Sequence, residues 1–273
     1  MNWIEILLMG LVLGLSEFVP ISSSGHERLL LHLFGQKEMD PLCHLVLTFG
    51  VFLAVVTGCR ELVRRLMVER AISKRRRKTR SSGTRHYDYR IVKTAVLPLS
   101  VVYVALSLLP ISVSLPALSI AFVINGIVLF VTENMRRGNK ESSRMTALDS
   151  WMMGFFGGMS AIAGISLTGM VFSVSVARGA KLRFALGWSF MIAVPALLLR
   201  MAVDLLFVLI GGTTLTFTGF LWSLLGAIFA FAGGRASINI AKSVVKRANL
   251  AEFFYPYYIW GAAILTFILF LIT

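Results

Sequence analysis

Hydrophobic positions along the chain fall into runs of two lengths. Long runs occupy about 41–59, 91–110, 116–133, 184–210, 219–241 and 255–273. Each approaches the roughly 20 apolar residues that carry a helix across a bilayer. Two regions hold only short runs. The first is apolar over 3–15 apart from Glu5, reaches Glu17 and a serine cluster, and resumes at 28–34. The second consists of about 150–162 and 168–178, broken by small polar residues. Interrupted backbone at membrane depth is tolerated only inside protein or beside a cavity. The pattern therefore predicts an all-α integral membrane protein with six transmembrane helices and two re-entrant helical hairpins.

Charge fixes the expected orientation. The chain is 57% hydrophobic and carries 27 Lys and Arg against 13 Asp and Glu, a net charge of +14. In a soluble protein such a balance would suggest nucleic acid. Here the basic residues lie between apolar runs, which is the positive-inside pattern of a bilayer protein and implies no nucleic-acid partner. With both short pairs re-entrant, the segments 60–90, 134–149, 178–183 and 242–252 fall on one side and hold nearly all the loop Lys and Arg. They include Arg64, Arg65, Lys74–Lys78 and Arg80, and Arg136, Arg137, Lys140 and Arg144. The other side, 36–40, 111–115 and 211–218, has Lys37 alone. The basic side is then cytoplasmic, with both termini outside. The first Lys or Arg is Arg28, so a cleaved signal peptide is not expected. Cys43 and Cys59 offer neither a disulfide framework nor metal spacing.

The two short pairs match. Ile21-Ser22-Ser23-Ser24-Gly25 aligns with Ile165-Ser166-Leu167-Thr168-Gly169, and Phe52-Leu53-Ala54-Val55 resembles Met191-Ile192-Ala193-Val194. One membrane domain built of two repeats follows, 1–140 and 145–273, each with one hairpin and three spans. Three is odd, so the second repeat is inverted, the design in which binding sites form where the repeats meet.

The residues able to do chemistry gather between Glu17 and Arg28. Ionisable groups within a membrane protein usually face its interior and mark function. Glu17 suits a general base or a metal ligand, or caps the helix after the serines. His26 suits a proton carrier or an electrophile toward a phosphoryl oxygen. Ser22, Ser23 and Ser24 suit a nucleophile or phosphate binding, with Gly25 freeing local N–H groups at a helix start; capping is the alternative. Arg28, four residues after Ser24, suits an anion clamp or an ion pair with a neighbouring acid. Ser166, Thr168 and Gly169 carry the same readings in the second hairpin. Arg200 and Asp204 are spaced for an intrahelical ion pair. His44 and Asn125 read as hydrogen-bonded polar groups within the bundle. Tyr255, Tyr257, Tyr258 and Trp260 read as an interfacial aromatic belt.

The stretch Gly14-Leu15-Ser16-Glu17-Phe18-Val19-Pro20-Ile21-Ser22-Ser23-Ser24-Gly25-His26 resembles the first signature of the undecaprenyl-diphosphate phosphatases of the bacitracin-resistance type, roughly E-G-L-T-E-F-L-P-V-S-S-T-G-H. Ser189-Phe190-Met191-Ile192-Ala193-Val194-Pro195 resembles that family's S-F-L-L-A-V-P, and Asp204 falls on a family-like acid. The resemblance runs the length of the chain. It implies the inverted-repeat fold and removal of a phosphate from undecaprenyl diphosphate outside the membrane, recycling the lipid carrier for cell-wall synthesis. It also implies a divalent cation, Mg2+ or Ca2+. On this reading Glu17, Ser23 and His26 are catalytic, with Glu17 also the metal ligand. Ser22, Ser24, Gly25, Arg28, Ser166, Thr168 and Gly169 bind substrate. Two departures stand against hydrolysis. The family's first glutamate falls on Leu13, and the arginine of its second signature, P-G-x-S-R-S-G, falls on Leu167. The alternative is a relative that binds or translocates a polyprenyl phosphate without hydrolysing it. In the enzymatic case Arg28 or Arg200 would supply the missing cation.

Overall fold

The computed structural model describes residues 1–79, 87–109, 114–136, 138–247 and 254–272. They form eleven α-helices: α1 (Trp3–Glu17), α2 (Ser23–Leu33), α3 (Pro41–Gly58), α4 (Arg60–Thr79), α5 (Tyr87–Ser107), α6 (Leu115–Glu133), α7 (Ala147–Gly158), α8 (Leu167–Ala177), α9 (Leu182–Gly211), α10 (Phe217–Arg247) and α11 (Phe254–Ile272). Five helices, α3, α5, α6, α9 and α10, are long and apolar enough to cross a membrane. In α11, where a sixth span is expected, Tyr258–Ile272 is a shorter apolar helix that falls below that length among the described residues. Arg80, Arg137 and residues 248–252 lie outside the described residues, as do the side chains of 75–78, Tyr255 and Tyr257.

One expectation is corrected. The basic stretch after α3 is not a loop at its start but helix α4. Its Arg, Lys, Glu, Leu and Met are good helix formers, with no Gly or Pro to stop them. Glu61 and Arg64 pair at 2.9 Å one turn apart, and Glu69 accepts the Tyr89 N–H at 2.8 Å, which docks α4 on the start of α5.

The two short pairs, α1/α2 and α7/α8, are built alike. Asn2 opens α1 with a capping box to Glu5, and Thr146 opens α7 with a capping box to Asp149. Gly10 and Gly14 of α1 press on the Gly226 and Ala230 carbonyls of α10, leaving no room for a Cβ. Gly154 and Gly158 of α7 press in the same way on the Ala95 and Leu99 carbonyls of α5. Ser22 accepts the Gly25 N–H at 3.2 Å and Ser166 accepts the Gly169 N–H at 3.1 Å, capping α2 and α8. Each counterpart lies 144 positions on, from Asn2 to Thr146 through Gly10 to Gly154 and Ser22 to Ser166.

Side-chain contacts sort the helix ends into two groups. At the basic end Lys242 Nζ donates to the Gly58 carbonyl at 2.9 Å. Asp88 there receives Arg65 at 3.3 Å and the Trp188 indole N–H at 3.2 Å. Arg178 pairs with Asp149 and Lys181 with Glu141 beside the short bridge between Lys140 and Ala180. At the other end Asp40 caps α3 and also accepts the Thr213 hydroxyl at 2.8 Å and the Thr214 N–H at 2.8 Å, tying α3 to the α9–α10 connection. Burial pushes the Asp40 carboxyl up, but these hydrogen bonds together outweigh it and hold the pKa below its ordinary value. The main core lies among α1, α3, α5, α9 and α10, around Trp188, Phe18 and Phe190.

Candidate active site

The turns at 22–25 and 166–169 meet. Ser22 Oγ donates to the Ile165 carbonyl at 3.3 Å, and Thr168 Oγ1 donates to the Glu17 carbonyl at 3.0 Å. Asn125, on α6, bridges them: Nδ2 donates to the Pro20 carbonyl and Oδ1 accepts the Ser166 N–H, both at 3.2 Å. The sequence reading of Asn125 as a hydrogen-bonded group holds, but it missed that the two partners belong to different hairpins. A single amide on an apolar helix was the available signal. A Cβ on Gly25 would come within 2.6 Å of the Phe122 ring and 2.9 Å of Gly164 Cα, so the approach needs glycine there.

The three serines separate. Ser22 is the helix cap and, at φ 69°, the one non-glycine residue with positive φ among the described residues. Such strain persists where the surroundings over-determine it, often at functional sites. Ser23 Oγ donates to Glu17 Oε2. Ser24 Oγ lies 3.4 Å from Ser22 Oγ and does not reach the acid. Glu17 is 3% exposed and needs a positive partner, which arrives from α9: Arg200 Nη1 donates to the same Oε2 at 3.2 Å.

That contact corrects the expected Arg200–Asp204 pair. Asp204 instead accepts from His44 Nδ1 at 2.7 Å, and His44 Nε2 lies 3.4 Å from Glu27. Helical spacing alone offers Arg200 and Asp204 to each other at little gain. Carboxylates on α1 and α2 and an imidazole on α3 compete better because they are also buried and also need partners. Arg28 turns away, donating from Nη1 to the Lys37 carbonyl at 3.3 Å in an exposed position. His26 Nδ1 lies 2.7 Å from the Ser22 carbonyl, which assigns the proton to Nδ1 and leaves Nε2 as acceptor, 3.4 Å from the Tyr258 hydroxyl. Its ring stacks on Tyr258 and meets Phe122 edge-on. Leu13 and Leu167 are both buried in the apolar core.

A family model described as bacitracin resistance protein BacA matches residues 6–265. The chain belongs to this family. Among BacA relatives, undecaprenyl-diphosphatase of Carboxydothermus hydrogenoformans is 28% identical over 97% of this chain and 97% of its own. The undecaprenyl-diphosphatase of Alkaliphilus metalliredigens is 28% identical over 98% and 99%. That of Treponema denticola is 27% identical over 96% of this chain and the full length of its own. Among the described residues no group of three or more His, Cys, Asp and Glu is arranged to hold a metal ion. Glu17 Oε2 is already shared by a hydroxyl and a guanidinium. This donor set does not fit a metal held by the protein alone.

Proposed function

We propose that this BacA-family protein is an undecaprenyl-diphosphate phosphatase of the bacterial plasma membrane, returning the lipid carrier of cell-wall synthesis to its monophosphate. The relatives' names support the substrate. The observation that carries the chemistry is the buried Ser23–Glu17–Arg200 contact. A hydroxyl on a carboxylate is the pairing of a nucleophile with its base. Ser23 Oγ attacks the terminal phosphorus as Glu17 takes its proton. The bond to the bridging oxygen breaks and polyprenyl phosphate leaves. Water then cleaves the phosphoserine, releasing phosphate, and the Glu17 proton returns to the serine oxygen. Arg200 takes the place of the family arginine and faces the phosphoryl charge. His26, with Tyr258, orients the substrate beside Ser22 and Ser24. A divalent cation, Mg2+ or Ca2+, would come with the diphosphate, completing its shell with water and Glu17 as the single protein carboxylate, and would neutralise charge.

The fold proposal is six spans and two re-entrant hairpins in an inverted repeat, with the basic end cytoplasmic. Its support is the constant spacing of caps and glycines, and the grouping of basic ends. Purified protein given a polyprenyl diphosphate should release phosphate, less so with a chelator. Lipid binding without phosphate release would overturn the enzymatic reading. In intact cells Thr214→Cys should be labelled from outside and Ser143→Cys should not; labelling of both from one side would end the six-span arrangement.

A further inference from the structure

Two polar tiers stand one turn apart beside the serine turn. The first is the Ser23–Glu17–Arg200 contact. The second is Glu27, His44 and Asp204. Glu27 lies four residues after Ser23 on α2, and Asp204 lies four residues after Arg200 on α9, so each pair shares one face of its helix. His44 enters between the two acids from α3. The chemistry of the first tier makes no use of these three side chains.

The second tier has a definite charge. Asp204 Oδ2 lies 2.7 Å from His44 Nδ1, and Glu27 Oε2 lies 3.4 Å from His44 Nε2. The three side chains are 12–15% exposed. Both ring nitrogens therefore face carboxylate oxygens. A neutral imidazole has one N–H, and its bare nitrogen would set a lone pair against a carboxylate. The arrangement calls for an imidazolium, one cation between two acids.

Asp204 is the acid that bears on Arg200. A helical side chain leans toward the preceding turn, which brings Asp204 back toward Arg200. Glu27 has Arg28 beside it as well as His44. Asp204 takes its hydrogen bond from His44. Without that cation, a largely buried carboxylate would stand unpaired one turn from a guanidinium, and an unpaired buried charge is costly. Arg200 drawn to Asp204 is Arg200 drawn off Glu17, which its Nη1 reaches at 3.2 Å.

We propose that His44 is a positioning residue of the phosphate site, occupying Asp204 so that Arg200 stays on Glu17. Its part in turnover rests on the phosphatase reading above; the partner that Arg200 takes does not. Full-length protein and its variants would be assayed for phosphate release from a polyprenyl diphosphate and for thermal unfolding. His44→Gln should lower phosphate release about 10–100-fold by misplacing the guanidinium. Adding Asp204→Asn removes the competitor and should win back about tenfold. No recovery, or a further loss, would overturn the proposal, because a bridge that only braces α2, α3 and α9 has nothing to regain. Should the single His44 variant not fold, Asp204→Asn is compared with the double variant. The two should turn over alike, and a loss of about tenfold or more on removing His44 there would overturn the proposal. Glu17→Gln strands Arg200 in the wild-type background and should lower its melting temperature. In the His44→Gln background Arg200 has Asp204, and the drop should be smaller. An equal change in both backgrounds would overturn the proposal. If wild-type protein releases no phosphate, the phosphatase reading fails, while the melting comparison still decides which acid Arg200 takes.

Discussion

The two hairpins share a frame and differ in what it carries. Counterparts 144 positions apart keep the atoms that hold backbone: the opening capping boxes, the glycines against α10 and α5, the Ser22 and Ser166 caps, and Gly25 and Gly169. The reactive groups are not shared. At that spacing Glu17 corresponds to Ala161, Ser23 to Leu167, His26 to Met170 and Arg28 to Phe172. The comparison separates two jobs that a run of three serines leaves mixed. Where the second hairpin keeps a hydroxyl, the hydroxyl caps or braces a turn. Where it does not, Glu17 of the first hairpin bonds Ser23 and Arg200, while Arg28 turns to the Lys37 carbonyl.

The largest expected effect follows from that division. Ser23→Ala should lower phosphate release about 10²–10⁴-fold or more in a protein that still folds, and Glu17→Gln should do the same at a further cost in stability, because it leaves buried Arg200 without its counter-charge. Leu167→Ala, at the counterpart of Ser23, should instead cost about 2–5 kcal/mol of stability as a core truncation and leave the catalytic residues untouched. Thermal unfolding and phosphate release measured on the same samples check both. A Leu167→Ala protein that is stable but inactive would return the second hairpin to the chemistry.

Next comes the choice of cation. Arg200→Ala strands a buried Glu17 carboxylate and should destabilise by about 3–5 kcal/mol, with lipid binding lost. Arg28→Ala should stay within about 0.5 kcal/mol, with turnover unchanged. Equal losses in the two variants, by unfolding and lipid-binding titration, would refute the assignment to Arg200.

The smallest effect is one of pH. The Asp40 carboxyl is held below its ordinary value by Thr213, Thr214 and the Leu42 N–H. Its contribution is therefore complete above the unfolded value, about 3.9, and fades as pH falls through the lower folded one. Asp40→Asn should lower the melting temperature at neutral pH, and the gap to wild type should close on acidification. A gap that stays constant down to pH 2 would show that Asp40 acts without its charge.

Part of this was legible in the sequence. Five of the six long apolar runs coincide with helices long and apolar enough to cross a membrane, because a bilayer leaves the backbone few alternatives. The Ser-x-Ser-Gly and Ser-x-Thr-Gly stretches mark the starts of α2 and α8 because a cap has a fixed spacing. The pairings of Arg200 and Asp204 were not legible. Spacing shows that they share a face of α9, but which helix arrives opposite is a matter of tertiary packing, and α1 and α3 bring Glu17 and His44. Helix α4 was hidden for a different reason. A run of charge reads as solvated loop, although its residues favour helix.

Asn125 makes the meeting of the turns an interlock rather than a contact. Its bridge, with the direct bonds of Ser22 and Thr168, joins the hairpins by three links. At about 0.5–1.5 kcal/mol for each bond that must break, parting the turns costs on the order of 1.5–4.5 kcal/mol unless new partners replace the old. The parted form would then be about a tenth of molecules at most. A lipid that needed the hairpins to separate would have to supply that energy itself, binding the parted form more tightly by the same amount. One that approaches Glu17 and Arg200 with the latch shut would meet no such toll.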